Sequence, residues 1–257
     1  MITSYLQGGL GNQMFQIAAA YSLSLKMNVD CSFDFDKSYV STQGHRANKY
    51  KDNIFKNITN SQLNYNIFKM YMEPEFRYNE LPLVDNLCLV GNFQSEKYFN
   101  DKKDDIIKIF NFEKETHNDV KNYIYENVSG GNLTAIHVRR GDYVSKPNFH
   151  PTCNFEYYNK AMEIMNSDKY IIISDDLEWC KNNFVGDNFI FTPFTNEIQD
   201  LYLLMNCNNH IIANSSFSWW GAYLCEHDNK VITPKIWFGP DGPQDTEDIY
   251  LDNWIKL

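Results

Sequence analysis

The chain has 257 residues, enough for one large domain or two of about 130 residues each. With 43% hydrophobic and 22% charged residues it has the balance of a water-soluble globular protein, and its net charge of −10 argues against nucleic acid or an anionic membrane as the main partner. No run approaches the ~18 apolar residues of a membrane span, and the start MITSYLQGGLGNQ has neither the basic flank nor the apolar run of a signal peptide.

Ile2–Leu6 reads as a short strand, followed by a glycine turn, QGGLGNQ (7–13), and a helix from Gln13 to about Met27 with Phe15, Ala18, Ala19 and Leu25 near one face. Residues 30–80 are rich in Asn, Asp, Lys and Tyr, with helical patches such as SQLNYNIFKMYM (61–72). NLCLVGNFQSEKYF (86–99) reads as strand, turn and helix start, and 101–126 as a helix broken near Asn111. NVSGGN (127–132) is the best linker, dividing the chain into 1–128 and 129–257. The second half alternates regularly: strands at LTAIHV, KYIIISDD, NFIFT, NHIIANSS and KVITP, helices at FEYYNKAMEIMN, LEWCKNNF, NEIQDLYLLMNC and FSWWGAYLCEH. That alternation predicts an α/β fold with a parallel sheet, in which ligands bind beyond the carboxyl ends of the strands.

The chemistry-bearing residues lie at those ends. LTAIHV runs into His137, Arg139, Arg140 and Asp142, and two arginines at a strand end suit bidentate bonds to phosphate, although a surface Arg pair neutralised by Asp142 is the plainer alternative. NHIIANSSFSWWGAYL carries a buried strand into Asn214, Ser215, Ser216, Phe217 and Ser218 at a helix start, whose free N–H groups suit an anion. Trp219 and Trp220 read as packing. IIISDD ends in Asp175 and Asp176, which suit a divalent metal, the N–H edge of a guanine, or a helix N-cap. GGLGNQ has Met14 where a dinucleotide fingerprint needs its third glycine; Gly9 and Gly11 instead allow close approach and present Asn12 and Gln13. The aromatic content of 16% favours a sugar or nucleotide site only slightly. The six cysteines show no CxxC or Cys/His metal spacing and read as reduced, mostly buried thiols of a cytoplasmic protein, at most peripheral to the inner face of a membrane.

GGLGNQMFQ, GNFQSEKYF, HVRRGDY, SDD with a following WC, and NSSFSWWGA occur in an order that resembles the bacterial α-1,2-fucosyltransferases of glycosyltransferase family 11, from residue 8 to about 238. One departure is Asn92, where the family commonly carries an aromatic residue. The resemblance implies a GT-B-like fold of two Rossmann-like lobes with a cleft between them, and metal-independent, inverting transfer from GDP-β-L-fucose to the 2-hydroxyl of a terminal β-galactose. It implies no cofactor and no metal site, with the GDP-fucose donor on the C-terminal lobe and the galactose-terminated acceptor on the N-terminal lobe. Arg139 then faces the β-phosphate, with Arg140 and residues 214–218 supporting it, while His137 and one of Asp175 and Asp176 hold the guanine. Asn12 positions acceptor or fucose beside Gly9, Gly11 and Gln13, and Asp142 and Glu96 are the candidates for general base. A transferase for another GDP-sugar or acceptor, and a sugar-binding lectin, are the competing readings.

Overall fold

The computed structural model describes residues 1–39, 44–128, 131–225 and 228–257. The chain forms two compact units, one of Met1–Glu113 with Asp245–Leu251, the other of Lys114–Gln244 with Asp252–Leu257. Each is built on a parallel sheet, the α/β class expected from the sequence.

In the first unit β1 (Ile2–Ser4) leads through the glycine turn into α1 (Leu10–Met27). The helix starts ahead of Gln13, so Gly11, Asn12 and Gln13 belong to its first turns. Phe15, Ala18 and Ala19 are buried as expected, but Leu25 is 38% exposed. The helix stops at Asn28, whose left-handed conformation (φ 53°) lets its N–H return to Leu25 O.

Residues 61–72 correct the helical reading: a short 3₁₀ turn at Tyr65–Ile67 leads into β2 (Lys69–Met72), which lies beside β3 (Leu87–Val90) in the order β1-β3-β2. The second edge of β3 needs hydrogen-bond partners, and the strand supplies them from Lys69↔Leu87 to Met72↔Val90. The helical signal around Asn111 splits as expected into α2 (Lys103–Ile109) and α3 (Lys114–Asn127).

The second unit begins with α3, ahead of the sequence-based division at residue 128. It belongs there because His117 stacks on Tyr202 with ring centroids 4.4 Å apart, and the Tyr123 hydroxyl donates to Phe191 O. The linker NVSGGN includes residues 129 and 130, which lie outside the described residues, as do 226 and 227 at the end of the expected FSWWGAYLCEH helix. The elements are β4 (Leu133–Val138), α4 (Phe155–Met165), β5 (Lys169–Ser174), α5 (Leu177–Asn183), β6 (Phe189–Phe191), α6 (Glu197–Met205), β7 (Asn209–Ile211), α7 (Ser216–Tyr223), β8 (Lys230–Thr233) and β9 (Ile255–Lys256). The strands run in the order β6-β5-β4-β7-β8-β9, all parallel. Strand order therefore reverses between β4 and β7, the switch point at which ligands bind in open α/β sheets. The segment Asp245–Leu251, which groups with the first unit, contains a 3₁₀ turn, Glu247–Ile249.

All six residues of β4 are buried, as a strand covered on both faces requires. Trp219 and Trp220 are fully buried, with Trp219 stacked on Tyr223 at 4.6 Å and 5.7 Å from Trp254, so both are packing residues. All six cysteines are free thiols. Where α6 meets α7, a Cβ on Gly221 would come within 2.6 Å of Leu204 Cβ. Gly221→Ala should therefore destabilise the chain by about 1–3 kcal/mol, read as a lower denaturant midpoint with unchanged slope.

Candidate active site

The register of β4 and β5 builds the centre of the site. Val138 lies opposite Ser174, so the next two residues of each strand, Arg139-Arg140 and Asp175-Asp176, leave the sheet side by side. Arg139 Nη1 donates to Asp175 Oδ2 at 2.9 Å and Arg140 Nε to Asp176 Oδ2 at 3.0 Å. Asp175 Oδ1 accepts the Arg140 backbone N–H at 2.9 Å, which ties the two pairs together. Arg139 Nη2 also donates to Asp142 Oδ1 at 2.8 Å, within the 3₁₀ turn Gly141–Ser145. Arg140 lies over the Trp179 ring at 4.2 Å, while Asp176 caps α5 by accepting the Trp179 N–H at 3.1 Å. That backbone bond first, and then Arg140, hold the Asp176 carboxyl below its ordinary range.

Across the switch point, β7 leads through Ile212 and Ala213 into Asn214 and Ser215. Asn214 is buried and acts as a staple: its Nδ2 donates to Pro151 O at 3.0 Å and Trp237 O at 2.9 Å. Ser215 occupies the N-cap of α7 but makes no side-chain capping bond, and Ser218 turns its hydroxyl back to Ser215 O at 3.3 Å. The first turn of α7, begun by Ser216 and Phe217, therefore receives no capping oxygen from Ser215, which leaves it suited to an anion. His137 packs against Phe217 with ring centroids 5.5 Å apart, is 5% exposed, and its Nδ1 has no hydrogen-bond partner. Burial, and next the Arg139 charge, push its pKa down to about 3, so it works as a neutral imidazole. The structure thus brings His137, Arg139, Arg140, Asp142, Asp175, Asp176 and residues 214–218 together at the carboxyl ends of β4, β5 and β7.

In the first unit the corresponding strand ends carry the glycine turn. Gly8 takes φ +78°, and a Cβ on Gly44 (φ +99°) would strike Gly9 Cα at 2.6 Å, so glycine is required at both positions. Asn12 is half-buried and accepts from Gln94 Nε2 at 2.9 Å. Gln13 corrects expectation: it is fully buried, donating to Gly8 O at 2.8 Å and His45 O at 2.7 Å, so it builds the turn and is not presented to a ligand. Glu96 lies half-buried in the 3₁₀ turn Glu96–Tyr98. Glu73, just beyond β2, was not singled out by the sequence: its carboxylate accepts the Asn92 N–H at 2.6 Å and the Phe93 N–H at 3.0 Å. Burial nevertheless pushes its pKa up to about 7.

Residues 1–257 match the profile of Glycosyl transferase family 11. The chain belongs to glycosyltransferase family 11. It is 31% identical to the O-antigen biosynthesis glycosyltransferase WbnK of Escherichia coli over 99% of both chains. It is also 31% identical to an α-1,2-colitosyltransferase of Escherichia coli over 100% of this chain and 99% of that one. The mouse galactoside 2-α-L-fucosyltransferase Sec1 is 25% identical over 100% of this chain and 74% of its own length. Among solved structures, the fucosyltransferase NodZ from Bradyrhizobium covers 86% of this chain, with 91% of its own chain matched, at 13% identity and a TM-score of 0.49.

In this glycosyltransferase the arginine cluster holds two guanidinium groups against three carboxylates, so positive charge is available locally but outweighed by one carboxylate. Each oxygen of Asp175 and Asp176 already accepts a protein N–H, two from guanidinium groups and two from backbone amides. Among the described residues no three His, Cys, Asp or Glu groups are arranged to hold a metal ion, and no helix is long and apolar enough to cross a membrane. A cavity of about 320 Å³ lies instead beyond β8 and β9, between Cys153, Tyr157, Pro234 and Leu257. None of the cluster's charged residues lines it, and its Lys160 is paired with Glu156 at 2.8 Å, so the side-chain geometry at the switch point is the better guide to the chemistry.

His210, fully buried with Nε2 2.7 Å from Leu204 O, also has its pKa pushed down by burial, to about 4. Both histidines titrate near 6.5 in the unfolded chain, so below that pH the unfolded state binds protons that the folded state refuses. Their stabilisation is complete above pH 6.5 and lost as pH falls through 6.5 toward 3–4. Unfolding free energy should fall across that window, and His137→Gln should flatten the slope by up to ~1.4 kcal/mol per pH unit. An unchanged slope in that variant would show that His137 protonates freely in the folded chain.

Proposed function

We propose that the chain transfers L-fucose from GDP-β-L-fucose to the 2-hydroxyl of a terminal β-galactose on a glycan, with inversion at the anomeric carbon and without a metal. The observation that carries this reading is the convergence of Arg139 and the start of α7 on one switch point in a family 11 chain. When the acceptor hydroxyl attacks C1 of the sugar, its proton passes to a carboxylate base, for which Glu96 and Asp142 are the candidates, the bond to GDP breaks, and negative charge grows on the β-phosphate. That charge has to be met by groups fixed beforehand in a site poor in water. Arg139 and the first-turn N–H groups of α7 are suited to it, one as a planar fork and the other as an aligned dipole.

The remaining residues take supporting parts. Asp142 and Asp175 hold the Arg139 guanidinium from two sides, and an arriving diphosphate competes with them for it. Arg140 is committed to Asp176 and Trp179 and so shapes the β5–α5 turn while adding positive charge. His137, neutral and with Nδ1 unpartnered, is suited to a nucleotide hydrogen bond. Any guanine contact by Asp175 or Asp176 shares oxygens that already accept from the protein. Asn12 and Glu96, at the strand ends of the first unit, are assigned to the acceptor, and the bonds made by Asn12 and Gln94 set the position of that surface.

A second reading is favoured by one relative: the donor sugar is colitose, the 3-deoxy counterpart of L-fucose. The two donors separate the readings, since a site built to bond the 3-hydroxyl rejects an analogue lacking it by roughly 10⁴. Incubation with GDP-fucose and lactose should give a fucosylated product whose linkage analysis shows the galactose 2-position substituted, and EDTA should leave the rate unchanged. Arg139→Ala should lower turnover by about 10²–10³, the usual loss on removing a charge-stabilising donor. Near-wild-type transfer by that variant would rule out this mechanism, and faster transfer of colitose would reassign the donor.

A further inference from the structure

The ladder between β4 and β7 ends at Ile136↔Ile211, whereas the ladder between β4 and β5 continues to Val138↔Ser174. Past Ile136, then, β4 stays registered to β5 but is released from β7, and the two elements that carry Arg139 and α7 leave the sheet on opposite sides of a crevice. Diphosphate binding needs them at a fixed spacing. Tyr143 crosses the gap. Its hydroxyl donates to Asn214 O at 3.0 Å, and the Arg139 guanidinium lies over its ring, 5.2 Å from the centroid.

The ring itself cannot drift. His150 stacks on it with centroids 4.4 Å apart and planes 10° from parallel, and His150 packs in turn on Phe238 at 5.5 Å. The turn that carries Tyr143 is closed by Val144 N–H to Arg140 O at 3.0 Å and by the Ser145 hydroxyl to Asp142 O at 2.8 Å. The loop beyond it is fastened by Gly239 N–H to Phe149 O and Asp241 N–H to Asn148 O, both 3.0 Å. Burial holds the Tyr143 phenol well above its ordinary pKa, so it stays a donor across the working pH range. The Asn214 carbonyl it bonds belongs to the residue just before the N-cap of α7.

We infer that Tyr143 is the positioning residue of the donor site, setting Arg139 and the α7 N-terminus at the distance a nucleoside diphosphate spans; this rests on the GDP-sugar reading given above. It touches no reacting atom in this role and acts through Arg139. A tyrosine that merely stabilised the fold would affect GDP binding by the same factor whether or not Arg139 were present. A positioning tyrosine would lose its effect once Arg139 is gone.

The test is a double-mutant cycle of Tyr143→Phe and Arg139→Ala, with GDP affinity read by calorimetry on the full chain and folding checked by thermal unfolding. Loss of the hydroxyl should weaken GDP binding about tenfold in the wild type, the scale of one buried hydrogen bond. In the Arg139→Ala background the same change should cost less than about twofold, the two effects failing to multiply as coupled groups do. Equal factors in both backgrounds overturn the inference while leaving the GDP-sugar reading standing. No measurable GDP binding by the wild type removes both. If Tyr143→Phe fails to fold, His150→Ala, which keeps the hydroxyl but removes the stack that holds the Tyr143 ring, runs the same cycle with the same two outcomes.

Discussion

The parallel register of β4 against β5 is the constraint on which the rest of the site depends. It sets Val138 opposite Ser174 and so brings two consecutive arginines level with two consecutive aspartates as the strands leave the sheet. Parallel ladders advance in step, so the side-chain pairs follow from backbone hydrogen bonding and not from any search among surface charges. This is how a chain of net charge −10 keeps two arginines at the tip of a buried strand. Arg139 is 23% exposed and Arg140 20%, and each finds its counter-charge on the neighbouring strand at 2.9–3.0 Å.

The reversal of strand order adds the second component. Because β7 lies on the other side of β4 from β5, the crossover that follows it places a helix start at the same end of the sheet as the arginines, with Tyr143 bridging the two. Guanidinium groups contribute full charges and the α7 start contributes a dipole, two sources of positive potential of different reach. The helix can lie this close because its own packing is apolar: Trp219, Trp220, Gly221 and Ala222 are all buried, so only the first turn is left for polar chemistry.

Much of this was legible in the sequence, and the misses have physical causes. From Leu133 to Thr233 nearly every element was recoverable, since buried parallel strands are apolar runs of defined length with helical periods between them. The arginine and aspartate dipeptides were both visible as strand ends, but their pairing depends on register, which no single strand encodes. Asp142 was read as a partner for the arginines or as a base, and the structure shows the partnership. Gln13 looked available beside three glycines, yet the turn of α1 that carries it faces inward and its amide closes the loop. Glu73 was hidden by the helical reading of 61–72. Once KMYM is recognised as a strand, the acidic residue immediately after it stands at a carboxyl end, where functional groups gather. The division at 127–132 followed composition, whereas α3 is drawn to the second unit by stacking of His117 on Tyr202, a contact far apart in sequence.

The balance of charge in the cluster bears on how such a site turns over. Three carboxylates against two guanidinium groups leave no net positive field to draw in a diphosphate from a distance, so it gains its attraction only on arrival, through short charge-assisted bonds. On the proposed reading, Arg139 exchanges Asp142 and Asp175 for phosphate oxygens when the donor binds and recovers them when GDP leaves. An isolated guanidinium in the same place would hold the spent nucleotide more strongly, because nothing would be waiting to replace it. The carboxylates lower the affinity for donor and product alike, and what the transition state gains is the extra charge that develops on the leaving phosphate as the bond to C1 breaks.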